Sequence, residues 1–401
     1  MELKKIHISD IGKVVTGKTP RTSIVENYGG DIPFLTPSDD LSYKSVPKTG
    51  KTLTEQGLNE VKNCLLPPHS VCVSCIGTDL GKVVMTSEPT ITNQQFNSII
   101  PNRRFDADFV YYLMTLVGKE LNYLSKTSTA VPIINKSSFS NYEVEVPGLE
   151  TQEKIASILS SLDSKIELNR RINDNLEQQA QALFKSWFVD FEPFRGGEFV
   201  DSELGLIPKG WRVVSLGEVT KQITEKVGNR EDVTVLSPIN SGELVLSEEY
   251  FTKQVFSKDL SKYLIVNPLS FAYNPARINI GSIGLNTFDF VGCVSPVYVV
   301  FECEPNYQYF FDFFKRTAMF KDEVALRAIG GVRQSLGYND LSLIKIIYPT
   351  SDVVVEFNNL YLKMKEVMIK NTDQNEKFIS LRDSLLPKLM SGELKINEFN
   401  C

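Results

Sequence analysis

Two histidines, His7 and His69, are all the imidazole available in 401 residues. That nearly excludes a histidine-built metal site and weakens any triad or imidazole acid–base mechanism. Cys72 and Cys75 have the spacing of half a zinc site, but no second Cys or His pair completes four ligands, so they read as cysteines packed in a strand. The six cysteines are irregularly spaced and do not read as a disulfide framework. No Gly-rich loop ending in Gly-Lys-Ser/Thr follows a strand pattern, so ATP is not held by a P-loop. The stretches Gly77–Gly81 and Gly281–Gly284 read instead as turns between strands, and His69 as an exposed loop residue after two prolines. No acid pair suggests carboxylate catalysis.

What the loops do offer is hydrogen bonding. In the first half Lys18, Thr19, Arg21, Ser38, Thr78, Asn93, Gln94 and Gln95 sit among turn-forming residues. In the second half Asn229, Arg230, Asn240, Tyr273, Asn274, Arg277, Asn279, Arg333 and Gln334 do. On DNA such side chains read sequence: Arg pairs with guanine, Asn or Gln with adenine, while hydroxyls and Lys hold phosphates. Arg277 and Arg333 stand out because folding needs no arginine in their Gly-, Pro- and Asn-punctuated surroundings. Asn93 and Gln94 lie between apolar runs and suit a buried, hydrogen-bonded role equally well. The net charge of −6 argues against a generally basic surface but leaves room for a local basic groove.

These loops need elements to hold them. A chain of 401 residues, 42% hydrophobic, predicts two or three domains with their own cores. No apolar run approaches the ~18 residues of a membrane span, and the start MELKKIHISDIG is charged rather than signal-like, so a soluble, cytoplasmic protein with no membrane partner is expected. The chain also echoes itself at 202–205 residues. Leu216–Val219 resembles Ile11–Val14, Val235–Pro238 resembles Phe34–Pro37, and Pro349 aligns with Pro147. Each copy opens with short β-branched and aromatic runs bounded by Gly, Pro, Asn and Asp, and holds one helix, near 106–124 or 306–326. This reads as an α+β globule on curved, mostly antiparallel sheet.

Each copy then closes with a helical period. Ile155, Leu159, Leu162, Ile166, Asn169, Asn173, Leu176, Ala180, Leu183 and Trp187 alternate steps of four and three, the seam of a coiled coil. Adding 202 gives Phe357, Tyr361, Met364, Met368, Asn371, Asn375, Phe378, Arg382, Leu385 and Leu389, with both asparagines repeated. Antiparallel packing with centres level sets Asn169 against Asn375 and Asn173 against Asn371. Helices of that length span about 50 Å at ~1.5 Å per residue. Two globules on such a rod suit a linear polymer with two separated reading sites, such as DNA half-sites about one turn (~34 Å) apart.

The strings GKTP (Gly17–Pro20) followed by GDIPFLTPSDD, TNQQFNSIIP (Thr92–Pro101), LFKSWFVDFEPF (Leu183–Phe194), VSPVYVVFE (Val294–Glu302) and SLLPKLMSGEL (Ser384–Leu394) resemble specificity subunits of type I restriction-modification systems. The resemblance runs through the whole chain, in order and in both copies. It implies two pseudo-symmetric target recognition domains joined by an antiparallel two-helix coiled coil: domain 1 over 1–150, a central helical spacer over 151–200, domain 2 over 201–350 and a C-terminal spacer over 351–401. The family's Glu-Gln before the helix is here Thr151-Gln152-Glu153, and Asp352-Val353-Val354 lacks it altogether.

The resemblance further implies a non-catalytic subunit that reads a bipartite target on double-stranded DNA. It implies two adenine-N6 methyltransferase subunits and restriction subunits as partners. S-adenosylmethionine and ATP belong to those partners, and no cofactor to this chain. Neither Leu66-Pro67-Pro68-His69 nor Tyr273-Asn274-Pro275-Ala276 matches the Asn/Asp-Pro-Pro-aromatic string of adenine methyltransferases. The aromatic run Trp187, Phe188, Phe191 and Phe194 is expected to be exposed and to dock the methyltransferase. A scaffold whose two heads grip proteins is the alternative reading, which the acidic charge slightly favours.

Overall fold

The computed structural model describes residues 2–77, 79–126, 133–251, 254–327 and 335–394. The chain divides into two compact units, Met1–Ile172 with Ile369–Cys401, and Asn173–Met368. The units therefore cut each long helix near its middle, where the division drawn from sequence kept helices apart from globules.

Both units repeat one topology. In the first, strands Gly12–Thr16, Phe96–Pro101, Val71–Ser74 and Val83–Met85 form an antiparallel sheet in that order. In the second, Thr220–Ile223, Val299–Cys303, Phe271–Tyr273 and Ile283–Leu285 repeat it. A second sheet in each unit contains one parallel pair, Phe34–Leu35 beside Ile91–Thr92 and Thr234–Val235 beside Gly292–Cys293. The first and last strands of each globule close on one another, Lys4–His7 with Glu143–Val146 and Arg212–Ser215 with Lys345–Tyr348.

The repeat is real, but its first echo is three residues out. Asp10 accepts the backbone N–H of His7, and Glu218 that of Ser215, each capping a one-turn helix, Ile8–Ile11 and Leu216–Val219. The matching residues are thus Ile8 and Leu216, not Ile11 and Leu216. The missing Gln of the second copy is also replaced in kind. Gln152 Nε2 donates to the carbonyl of Pro147 at 2.9 Å, and the Tyr307 hydroxyl donates to that of Pro349 at 2.9 Å.

Helix Ala107–Lys126 lies where one helix was predicted. Its counterpart near 306–326 is two helices, Gln308–Phe314 and Ala318–Arg327. Thr317 makes the break, because its hydroxyl donates to the Phe314 carbonyl and accepts the N–H of Phe320, capping a fresh helix. Just before it, Lys315 is buried against Asp312 and donates to the carbonyls of Gly242 and Ile283. Burial holds its ammonium below the usual lysine range.

The long helices run Leu149–Phe188 and Ser351–Ser391. Within the first unit they pack antiparallel: Ile155 and Leu159 share a core with Leu386 and Leu389, and Asn169 meets Asn375 at 3.0 Å. Asn375 also donates to the carbonyl of Ile166 at 3.3 Å. Within the second unit they are antiparallel too, with Phe184 and Phe188 on Phe357 and Asn173 donating to the carbonyl of Met368 at 3.0 Å. The expected aromatic docking patch packs on the core of the second unit instead. Phe188 is buried, and Phe191 and Phe194 pack edge-on against Trp211. A rod considered alone has nothing to cover these rings; the second globule does.

Candidate nucleic-acid interface

In the first unit the loops at one end of the main sheet converge. Gly17 and Lys18 donate backbone N–H groups to the carbonyls of Phe96 and Thr92, which lays Gly17–Thr19 along Thr92–Gln95. Asn93 in turn donates to the carbonyl of Leu35, and Cys75 to that of Gln95, bringing in the chain before Ser38 and the turn at Gly77. Lys18, Thr19, Asn93, Gln94 and Gln95 are therefore brought together in one loop cluster.

Their roles there differ. Lys18 and Gln94 are exposed. The Thr19 hydroxyl donates to Gln94 Oε1 at 2.6 Å, which orients that amide and occupies its oxygen rather than its NH₂. Asn93 is buried and serves the loop, donating to Gln95 Oε1 at 2.9 Å and accepting the N–H of Gln95. Ser38 is exposed and shares a hydrogen bond with Thr36 Oγ1. Arg21 is spent: its Nε and Nη2 both reach Glu60 Oε1, at 3.0 and 2.8 Å. Those hydrogen bonds hold the Glu60 carboxyl down at about 2. Thr78 lies outside the described residues.

The second unit builds its counterpart from the turn Asn274–Ser282. Asn274 Oδ1 accepts the N–H of Ala276, and the carbonyl of Arg277 accepts those of Ile280 and Ser282, a compact loop that ends in Gly281 with φ +93°. A Cβ on Gly281 would lie 2.6 Å from the carbonyl oxygen of Asn240, so only glycine lets that loop seat here. Asn240, Asn274, Arg277 and Asn279 are thus brought together. The Arg277 side chain is exposed and makes no ion pair or hydrogen bond among the described residues. Leu336 donates to the carbonyl of Pro275, so the chain returns beside the same loop; Arg333 and Gln334 lie outside the described residues.

Three candidates fall elsewhere. Tyr273 is fully buried in the middle of a sheet, with its ring 6.3 Å from that of Phe301, so it belongs to the core rather than to a reading loop. Alternation places it inward, and its aromatic neighbours in sequence concealed nothing but a strand. Arg230 is paired with Glu225 at 3.5 Å. Its neighbour Asn229 follows Gly228, which bonds to Ser261, in a loop on the second sheet. Cys72 and Cys75 are buried, and burial pushes the Cys72 thiol up to about 12.

Sequence reading also missed charged residues that seat each globule on its helices. Asp163 accepts from the Tyr112 hydroxyl and from Arg382 Nη1 at 2.7 Å. In the second unit Arg316 bridges Glu177 and Asp312. The signal was present: Arg382 interrupts an apolar seam.

Residues 1–178 match the family model for the type I restriction modification DNA specificity domain. The type I restriction enzyme MjaIX specificity subunit of Methanocaldococcus jannaschii is 29% identical over 412 residues, covering 99% of this chain and 94% of that protein. The HindI specificity subunit of Haemophilus influenzae is 37% identical over 174 residues, 42% of this chain and 38% of that one. The crystal structure of the type I system S subunit from M. genitalium has the same fold, with a TM-score of 0.53 at 14% identity over 97% of this chain and 96% of that one.

Proposed function

We infer the function from membership: the chain belongs to the specificity subunits of type I restriction-modification systems. It acts as the DNA sequence-recognition subunit of such a complex, reading a bipartite target with one half-site per globule, and it is not itself the enzyme. The observation that carries this reading is the repeated topology with unlike loops. One sheet arrangement presents Lys18, Gln94 and Gln95 in the first unit, and Arg277 with Asn240, Asn274 and Asn279 in the second. Amides suit adenine and a free guanidinium suits guanine, so the two half-sites differ.

Residues 1–150 and 201–350 are proposed as the recognition domains, with the helical segments 151–200 and 351–401 as spacers. Two methyltransferase subunits, bringing S-adenosylmethionine, and ATP-dependent restriction subunits are the proposed partners on double-stranded DNA in the cytoplasm. Among the described residues no helix is long and apolar enough to cross a membrane. The protein-gripping scaffold is not favoured, because its relatives are specificity subunits.

The test is an exchange. Residues 1–148 are replaced by those of a relative, and methylated adenines are mapped by sequencing a genome exposed to the assembled complex. One half of the motif is expected to change and the other to persist. A change in both halves would refute the two-reader assignment.

A further inference from the structure

Each unit has a cleft where its globule meets its own share of the two long helices, and the clefts are opposite in charge. The cleft of the first unit, about 270 Å³, is lined by Lys44, Arg170, Arg171 and Arg382 against Asp163 and Glu167, with five serines among its other residues. That of the second, about 640 Å³, sets Asp174, Glu177, Glu243, Glu249 and Asp312 against Arg316 and Lys365. Seating a globule on the helices therefore does not require a basic cleft. The excess of cations in the first unit needs another reason.

The four cations are not equally committed. Arg382 is claimed by Asp163 and Asp383, and Lys44 by Asp108. Arg171 pairs with Glu167 at 3.1 Å along its own helix. Arg170 has no carboxylate partner among the described residues. Its guanidinium lies over the Tyr43 ring at 4.3 Å from the centroid, and among the described residues its only hydrogen bond is a 3.5 Å contact from Nη1 to the carbonyl of Ser42. Stacking fixes the plane of a guanidinium while leaving its N–H edge unspent, an arrangement matched to a phosphate. The cleft's acids do little to oppose an anion: Asp163 is occupied by Tyr112 and Arg382, and Glu167 by Arg171. Serine hydroxyls nearby can donate to phosphate oxygens.

We propose that this cleft binds a phosphate group, with Arg170 as its main ligand. Resting on the DNA-reading function above, the phosphate is one of the duplex backbone, held without regard to sequence. The acidic cleft of the second unit makes no such contact.

The test compares the full-length chain in its complex with Arg170→Gln, Arg170→Lys and, in the acidic cleft, Lys365→Gln. Binding to a mixed-sequence duplex is followed against salt, and circular dichroism checks that each variant is folded. Loss of one phosphate contact lowers the slope of log K against log salt by about 0.9. Arg170→Gln is expected to lower it by that amount, Arg170→Lys to restore most of it, and Lys365→Gln to leave it alone. A second arm titrates inorganic phosphate into the protein. If phosphate binds and Arg170→Gln abolishes that binding while the duplex slope stays put, the site holds free phosphate rather than backbone. If neither arm responds in a folded variant, or if Lys365→Gln lowers the slope equally, the proposal falls. It falls too if Arg170→Gln weakens only association with the methyltransferase, since the occupant is then an acidic protein segment. A wild-type complex that binds no duplex at all refutes the function above and leaves the cleft to the phosphate arm.

Discussion

Arg382→Ala isolates the contact that seats the first globule on the helices. The Asp163 side chain is 8% exposed and Arg382 22%, with Nη1 to Oδ1 at 2.7 Å. Removing one partner of a buried pair costs about 3–5 kcal/mol, because the other charge stays in the interior unpaired. Here the Tyr112 hydroxyl still donates to Asp163, and water reaches the vacated edge, so the expected loss is about 2–3 kcal/mol. The paired exchange Asp163→Asn with Arg382→Met leaves no buried charge and is expected to recover more than half of that loss. Urea unfolding can be followed by two signals that separate the units. Both tryptophans, Trp187 and Trp211, lie in the second unit, whereas circular dichroism sees both. Arg382→Ala should pull part of the dichroism transition to lower urea and leave the fluorescence transition in place. A loss below about 0.5 kcal/mol, the level of an exposed pair, would refute the reasoning.

Other outcomes follow from the same geometry. Arg277→Ala is expected to weaken specific binding by about 1–3 kcal/mol and to relax one base position of one half-site, whereas Arg21→Ala, already committed to Glu60, leaves the preference unchanged; competition with variant duplexes decides both. By NMR titration Glu60 should protonate near 2 rather than at its ordinary 4.5, and Arg21→Ala should raise it only part of the way back, since the backbone N–H of residue 21 still donates to the carboxylate. Because the folded value is depressed, the stabilisation is complete above pH 4.5 and disappears as pH falls through about 2. Asn169→Leu deprives Asn375 Oδ1 of its donor and should cost about 1–2 kcal/mol, while Asn169→Leu with Asn375→Leu recovers it, as a double-mutant cycle by urea unfolding can measure.

Local patterns carried far because several depend on neighbours alone. The steps of four and three located both long helices to within a few residues, since an apolar seam at that spacing is the condition for two helices to pack. The numbering of the asparagines even placed Asn169 beside Asn375, because antiparallel register is settled by whichever residues stand at the two midpoints. The caps at His7–Asp10 and Ser215–Glu218 were equally local, yet the apolar echo aligned them three residues out, since Ile and Leu recur too often to set a frame and a cap does not.

What sequence alone could not decide was which polar side chain is already engaged and which ring is already covered. Arg21 and Arg277 look alike in composition, but Glu60, 39 residues from Arg21, takes one guanidinium, while no described residue takes the other. Tyr273 stands beside Asn and Pro in the sequence and in the core in space, because it is the last residue of a strand paired on both sides. Trp187, Phe188, Phe191 and Phe194 read as bare on a two-helix rod, and a globule that begins after them in the chain packs against all four and buries Phe188. The opposite charges of the two clefts arise in the same way, from helix residues that meet loops more than 50 residues distant. Periodicity and capping act over a few bonds and are written locally. Hydrogen-bond satisfaction and burial are properties of what the rest of the chain brings alongside, so only the folded structure fixes them.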